Sequence, residues 1–123
     1  MKILLIFLGG GLGAMARYGA AMLAGKCWGS SVAGTLLVNV IGCFALGAVY
    51  GIVQGRTACI SEEMRLLISM GFLGALTTFS TLNWEVFAML RSGRLCFGAF
   101  YLVVSCVLGL LCTAGGYYLA HNR

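Results

Sequence analysis

Charged side chains are scarce in this sequence. Of its 123 residues, eight are Lys or Arg and three are acidic, whereas 61% are hydrophobic. A water-soluble domain of this size needs much more polar surface to cover its core, so the composition excludes that class and favours a protein embedded in lipid. The three glutamates and the single histidine, His121, cannot supply a nucleophile–base–acid set or a metal cluster, and we therefore do not expect an enzyme.

Basic runs and closely paired cysteines are also missing. The net charge is +5 without any cluster of Lys and Arg, which argues against nucleic acid as a partner and fits a thin basic rim at anionic lipid headgroups. The cysteines include no CxxC pair, and three lie well inside apolar stretches, where a thiol acts as a small apolar group. We interpret the six as packing residues rather than as a disulfide or metal framework: Cys27, Cys43, Cys59, Cys96, Cys106 and Cys112.

Four long apolar stretches make up most of the chain. A helix that crosses a bilayer needs about 20 mostly apolar residues, and stretches of this kind occupy residues 3–23, 32–53, 64–90 and 95–119. The connections between them are too short to form a soluble domain or a site of their own. The sequence predicts an all-α membrane protein whose single domain, residues 1–123, has four transmembrane helices in the lipid bilayer.

The basic residues divide evenly between the two ends of these helices. Four spans place both termini and the loop after the second helix on one side of the membrane. That side carries Lys2, Arg56, Arg65 and Arg123, and the other carries Arg17, Lys26, Arg91 and Arg94. Without a positive-inside bias, copies are expected to insert in both orientations and to pair as an antiparallel dimer. A weak bias that fixes one orientation is the alternative.

Asn39 is a polar residue near the middle of the second stretch. Its amide needs hydrogen-bond partners in lipid, and Thr35 lies one turn earlier on the same face. These side chains can hold helices together or line a pore, and the residues alone leave both interpretations open.

The third stretch contains a polar interruption flanked by glycine. From Gly71 to Thr81 the sequence reads GFLGALTTFST, with four hydroxyl groups and two glycines at about mid-membrane depth. Irregular backbone is tolerated there only when it is buried in protein or lines a wet cavity, and its free carbonyls can bind a cation. The pattern predicts a broken helix, and a continuous helix with Ser and Thr bonded back to its carbonyls is the alternative. Glu85, two turns later, is expected to be a vestibule or snorkelling carboxylate.

The fourth stretch carries a ladder of polar residues. Tyr101, Ser105, Gly109 and Thr113 are spaced by four, so they share one face of a helix. With the polar groups of the second and third helices, they indicate a path lined by neutral donors and aromatic rings rather than residues that only assist helix contact. Such a path favours a small anion, although water, a cation or a small polar solute stay open.

These motifs resemble those of the small bacterial Fluc/CrcB fluoride channels over essentially the whole chain. The similarity rests on GGGLGAMARY from Gly9, GTLLVN from Gly34, and GFLGALTTFST from Gly71 together with Glu85. The resemblance implies a fluoride-specific channel in the bacterial cytoplasmic (inner) membrane that exports fluoride by passive diffusion. It further implies a dual-topology antiparallel dimer with two pores and a structural sodium ion at its centre.

The resemblance also implies roles for individual residues. Asn39 would donate a hydrogen bond in the pore, Phe79 would be the first ring of a phenylalanine pair, and the carbonyls of Gly74 and Thr77 would bind the sodium ion. The other candidate pore residues are Thr35, Ser80, Leu82, Glu85, Tyr101, Ser105 and Thr113.

Two positions depart from the family pattern. Leu82 stands where a second phenylalanine is expected, and Gly109 stands where a further serine is expected. Two assemblies therefore stay open: a homodimer, and a heterodimer with a paralogous subunit in which this chain is a half-conducting or non-conducting partner. A small multidrug-type exporter is the rival class, but it needs an acidic residue in the first helix, and this sequence has none there.

Overall fold

The computed structural model describes residues 1–55 and 60–122. Arg56 and Arg123, which entered the charge count, and Cys59 lie outside the described residues. Within the described ranges, all regular secondary structure is helical.

Four helices in the described ranges are long and apolar enough to cross a membrane. They are α1, Lys2–Trp28; α2, Ser31–Gln54; α3, Glu62–Arg91; and α4, Leu95–His121. The predicted all-helical membrane fold is confirmed. Each helix extends a few residues beyond its predicted apolar stretch, because hydropathy does not mark where a helix ends.

Local backbone chemistry sets the turn between α1 and α2. Gly29 adopts a left-handed conformation with φ of 66°, and its N–H donates to the Gly25 carbonyl at 3.0 Å. Ser30 then caps α2, since its hydroxyl oxygen accepts from the Val32 N–H at 3.2 Å. The turn is short, so α1 and α2 lie antiparallel and in contact.

Helix α3 is broken near its middle. It consists of Glu62–Arg65, a π-helical stretch Leu66–Leu73, one turn at Gly74–Leu76, and the helix Phe79–Arg91. Thr77 and Thr78 join these parts in extended conformation, with ψ of 152° and 114°. The predicted interruption is confirmed, and the continuous helix that was its alternative is wrong.

Helices α2 and α4 form the largest helix–helix contact in the described structure. Their backbones approach at glycines: a Cβ on Gly47 would collide with the Thr113 carbonyl, and one on Gly51 with the Tyr117 carbonyl. Both pairs have the same spacing, so residue n of α2 lies beside residue n + 66 of α4, and the helices run parallel. This register fixes which polar residues meet across the contact.

The neighbouring residues Gly115 and Gly116 provide a test of this contact. A Cβ on Gly116 would collide with the Phe44 carbonyl, whereas one on Gly115 would meet nothing within 4 Å. Because backbone cannot yield as a flexible side chain does, we expect Gly116→Ala to destabilise the fold by about 3 kcal/mol or more. The measurement is the temperature at which the detergent-solubilised protein loses its monodisperse elution peak. Gly115→Ala is the control, and equal behaviour of the two variants would contradict the described register.

Candidate functional site

The side chain of Asn39 holds the break in α3. Its Oδ1 accepts from the Thr78 N–H at 2.8 Å, and its Nδ2 donates to the Thr78 carbonyl at 3.2 Å. The amide thus satisfies both backbone groups of a residue that has left the helical hydrogen-bond pattern. The NH₂ group carries a second N–H, so Asn39 joins helices and still retains a donor.

At the break, two backbone N–H groups donate to side chains instead of to the helical carbonyls four residues earlier. In a continuous helix the Gly74 carbonyl would accept from the Thr78 N–H, but that group donates to Asn39. The Thr77 carbonyl would accept from the Thr81 N–H, which donates instead to the Thr78 hydroxyl oxygen at 3.2 Å. The two carbonyls predicted to bind a cation are therefore among those that lose their helical donors at the break. Neutral carbonyl oxygens suit a hard cation such as sodium, so the residues present fit that ion.

Glu85 is buried between α2, α3 and α4. Thr35 Oγ1 donates to Glu85 Oε1 at 2.8 Å, and the Tyr101 hydroxyl donates to Oε2 at 2.8 Å. All three residues are buried, with Glu85 8% exposed. Of the two expected roles, snorkelling is wrong, because two hydroxyl donors from neighbouring helices hold the Glu85 side chain inside the bundle, and the vestibule role stays a prediction.

A cavity of about 280 Å³ lies next to this buried group. Arg17 of α1 lines it together with Thr35, Thr78 and Glu85. The cavity therefore brings a cationic side chain to the same space as the carboxylate and the break. The sequence gives no sign of this placement of Arg17, because nothing local to α1 indicates which helices the side chain faces.

The α2–α4 contact aligns two polar stripes. Continued two turns toward the N-terminal end of α2, the n + 66 register that joins Gly47 to Thr113 pairs Asn39 with Ser105. Ser105 is buried with no hydrogen-bond partner for Oγ within the described structure. Thr113 Oγ1 donates to the Gly109 carbonyl at 2.9 Å, so its proton is used within its own helix. The polar residues of α4 share one face, but their hydroxyl groups differ. That of Thr113 donates within its own helix, whereas that of Ser105 has no partner among the described residues.

Phe79 and Leu82 point in different directions. Phe79 is 73% exposed, whereas Leu82 is 5% exposed and packs with Val86, Met89 and Tyr101. Ser80 is exposed beside Phe79, and its hydroxyl lies 3.4 Å from that of Thr78. Of the two positions in the expected phenylalanine pair, one therefore faces out and the other lies in the core of the chain.

Residues 4–117 match the family described as CrcB-like protein, Camphor Resistance (CrcB). The chain belongs to this family. It is 44% identical over 119 residues to the fluoride-specific ion channel FluC of Salinibacter ruber, covering 94% of this chain and 86% of the relative. It is 40% identical over 110 residues to FluC of Nitratidesulfovibrio vulgaris (89% and 88% covered), and 39% identical over 123 residues to FluC of Shewanella sp. strain ANA-3 (99% and 98% covered).

In this CrcB-family chain, three polar groups converge on the middle of the membrane domain. They are the break held by Asn39, the buried Thr35–Glu85–Tyr101 network, and the Ser105 hydroxyl on the α2–α4 contact. All three depend on contacts between different helices, and together they form the candidate site.

Proposed function

We propose that this chain forms a passive fluoride-specific pore in the bacterial cytoplasmic membrane. The observation that carries the proposal is the buried Ser105 hydroxyl, which has no hydrogen-bond partner among the described residues and shares the n + 66 register with the Asn39 amide. The relatives are named fluoride-specific ion channels, which supports the same activity here.

The chemistry of the site suits a small anion. Fluoride must exchange tightly bound water for equivalent donors, and the hydroxyl of Ser105 and the second N–H of Asn39 can provide them. Phe79 adds a ring whose electropositive edge can face an anion. Donors that are neutral bind the ion weakly enough to release it, which passive conduction requires.

A second subunit completes the proposed pore. Gly74, Phe79 and Ser80 are exposed at the middle of α3, where lipid cannot satisfy polar backbone or hydroxyl groups. An antiparallel copy covers this face and brings its own Phe79 into the assembly, in agreement with the even distribution of basic residues. The alternative partner is a paralogous subunit, favoured by Leu82, which is directed into the core and leaves the expected ring missing.

A sodium ion at the centre of this dimer is part of the proposal. The carbonyls of Gly74 and Thr77 from each subunit would supply its oxygen ligands. A cation bound there would offset the partial negative charges of these carbonyl oxygens at the contact between the subunits, and so would stabilise the dimer. The ion has no step in transport and serves as a structural cofactor.

Reconstitution of the chain alone tests the function and the assembly together. Purified protein in liposomes loaded with potassium fluoride, with valinomycin added so that potassium leaves as the counter-ion, should release fluoride at a rate well above that of protein-free liposomes. Under the same conditions it should release chloride at the background rate. Replacement of sodium by N-methyl-D-glucamine on both sides should slow the release. Background fluoride release from a folded, monodisperse protein would exclude the homodimeric pore. Recovery of release only with a paralogous subunit would establish the heterodimer.

A further inference from the structure

The polar ladder of α4 is interrupted at Gly109, one turn after Ser105. At this position the family pattern expects a hydroxyl, and glycine supplies no side chain at all. The structure identifies what faces the gap: a Cβ on Gly109 would lie 3.4 Å from Cys43 Sγ, and apart from Gly109's own helix backbone and chain neighbours no other heavy atom comes within 4 Å. The thiol of α2 therefore occupies the space into which a side chain at position 109 would extend.

The register of the α2–α4 contact places this thiol in the polar row. Cys43 and Gly109 have the same n + 66 relation as Gly47 and Thr113, and they lie one turn beyond Asn39 and Ser105. On α2, Thr35, Asn39 and Cys43 are spaced by four and so share one face. The Ser105 hydroxyl is 9% exposed and has no hydrogen-bond partner in residues 1–55 and 60–122, which is an independent sign that the row meets a ligand or water.

We infer that the Cys43 thiol replaces the missing hydroxyl at position 109 and is a further donor on the anion path. The inference rests on the proposed function and deepens it, because it assigns a specificity-determining residue that lies on α2 rather than α4. A thiol donates a weaker hydrogen bond than a hydroxyl does. Cys43 thus keeps the path continuous but holds fluoride less strongly at this position than serine would.

Two replacements of Cys43 by residues of nearly equal size separate the loss of a hydrogen-bond donor from a change in packing. Alanine and serine differ by one hydroxyl, so Cys43→Ala should slow fluoride efflux from liposomes about five- to tenfold, whereas Cys43→Ser should match or exceed the unmodified protein. The double variant Cys43→Ala with Gly109→Ser should recover the rate, because the donor is returned from the opposite helix into the space that the thiol leaves. Cys112→Ala is the control on α4 and should leave the rate unchanged. Equal rates for Cys43→Ala and Cys43→Ser would overturn the inference and leave the proposed function intact.

A second measurement does not depend on fluoride transport. A variant that retains Cys43 and has serine at the other five cysteine positions should bind one Ag⁺ per chain, with release of the thiol proton, because a wet path gives the ion access to a soft sulfur ligand. A variant that retains only the exposed Cys106, whose surroundings would be lipid, should react much more slowly. If the unmodified protein carried no fluoride, the proposed function would fail, and the Ag⁺ reaction would still decide whether Cys43 lies on a hydrated path. A Cys43 thiol no more reactive than that of Cys106 would overturn the inference.

Discussion

Replacing Asn39 with alanine is expected to lower fluoride efflux at least about a hundredfold. The change leaves the Thr78 N–H and carbonyl without the two bonds, at 2.8 and 3.2 Å, that hold the break in place. Loss of two such partners in a buried site amounts to about 3 kcal/mol, which corresponds to roughly two powers of ten in a rate. The measurement is fluoride release from liposomes at matched protein density.

Asn39→Asp and Asn83→Ala complete this experiment. Aspartate keeps an acceptor for the Thr78 N–H but removes the amide donor and places a carboxylate where fluoride would pass, so it should also stop efflux. Asn83 is exposed, and its Nδ2 donates to the Phe79 carbonyl within the same helix at 2.9 Å. Its replacement by alanine should change the rate of fluoride efflux by less than about threefold. Efflux at the unmodified rate from a folded Asn39→Ala protein would refute the role given to the amide.

Replacing Glu85 with alanine should produce the largest loss of stability. Thr35 and Tyr101 would each lose a hydrogen bond of 2.8 Å to the carboxylate and keep only a longer one, to the Ser31 carbonyl at 3.4 Å and the Val32 carbonyl at 3.5 Å. A hydrogen bond to a charged group contributes about 1.5–3 kcal/mol, so loss of the two should lower the free energy of unfolding by about 3 kcal/mol. Unfolding in mixed detergent micelles, followed by circular dichroism, measures the change.

A triple variant separates this stabilising role from transport. Thr35→Val, Tyr101→Phe and Glu85→Leu together remove donors and acceptor alike, so most of the lost stability should return. Fluoride efflux should stay low, because the polar network beside the pore has been replaced by apolar groups. Glu63→Ala, at an exposed position, is the control for the loss of a carboxylate. A triple variant as unstable as Glu85→Ala would show that the hydrogen bonds do not account for the effect.

The break in α3 was predictable because its cause is local. Gly74 and the hydroxyls of Thr77 and Thr78 follow one another in the sequence, and Thr78 caps the next helix through the Thr81 N–H only three residues away. The shared face of Tyr101 and Ser105 was predictable for the same reason, since helical spacing alone determines it. The antiparallel dimer and the sodium ion stay predictions.

Glu85 was not predictable, because distance along the helix gives no information about its neighbours. Counted from the break, the residue lies two turns toward the membrane surface, which led to the expectation of a snorkelling carboxylate. Its donors come from Thr35, 50 residues earlier, and from Tyr101, 16 residues later. The rotation of three helices relative to one another places these groups together.

The membrane environment, the number of helices and the position of the break can all be predicted from the sequence. These follow from the scarcity of charge, the lengths of the apolar stretches and the short-range chemistry of Gly, Ser and Thr. Only the packing of the helices reveals that Asn39 forms hydrogen bonds with Thr78, that Glu85 is buried, and that Cys43 faces Gly109. The physical reason is that helix rotation and register are set by backbone contact at glycines such as Gly47, between residues far apart in the chain.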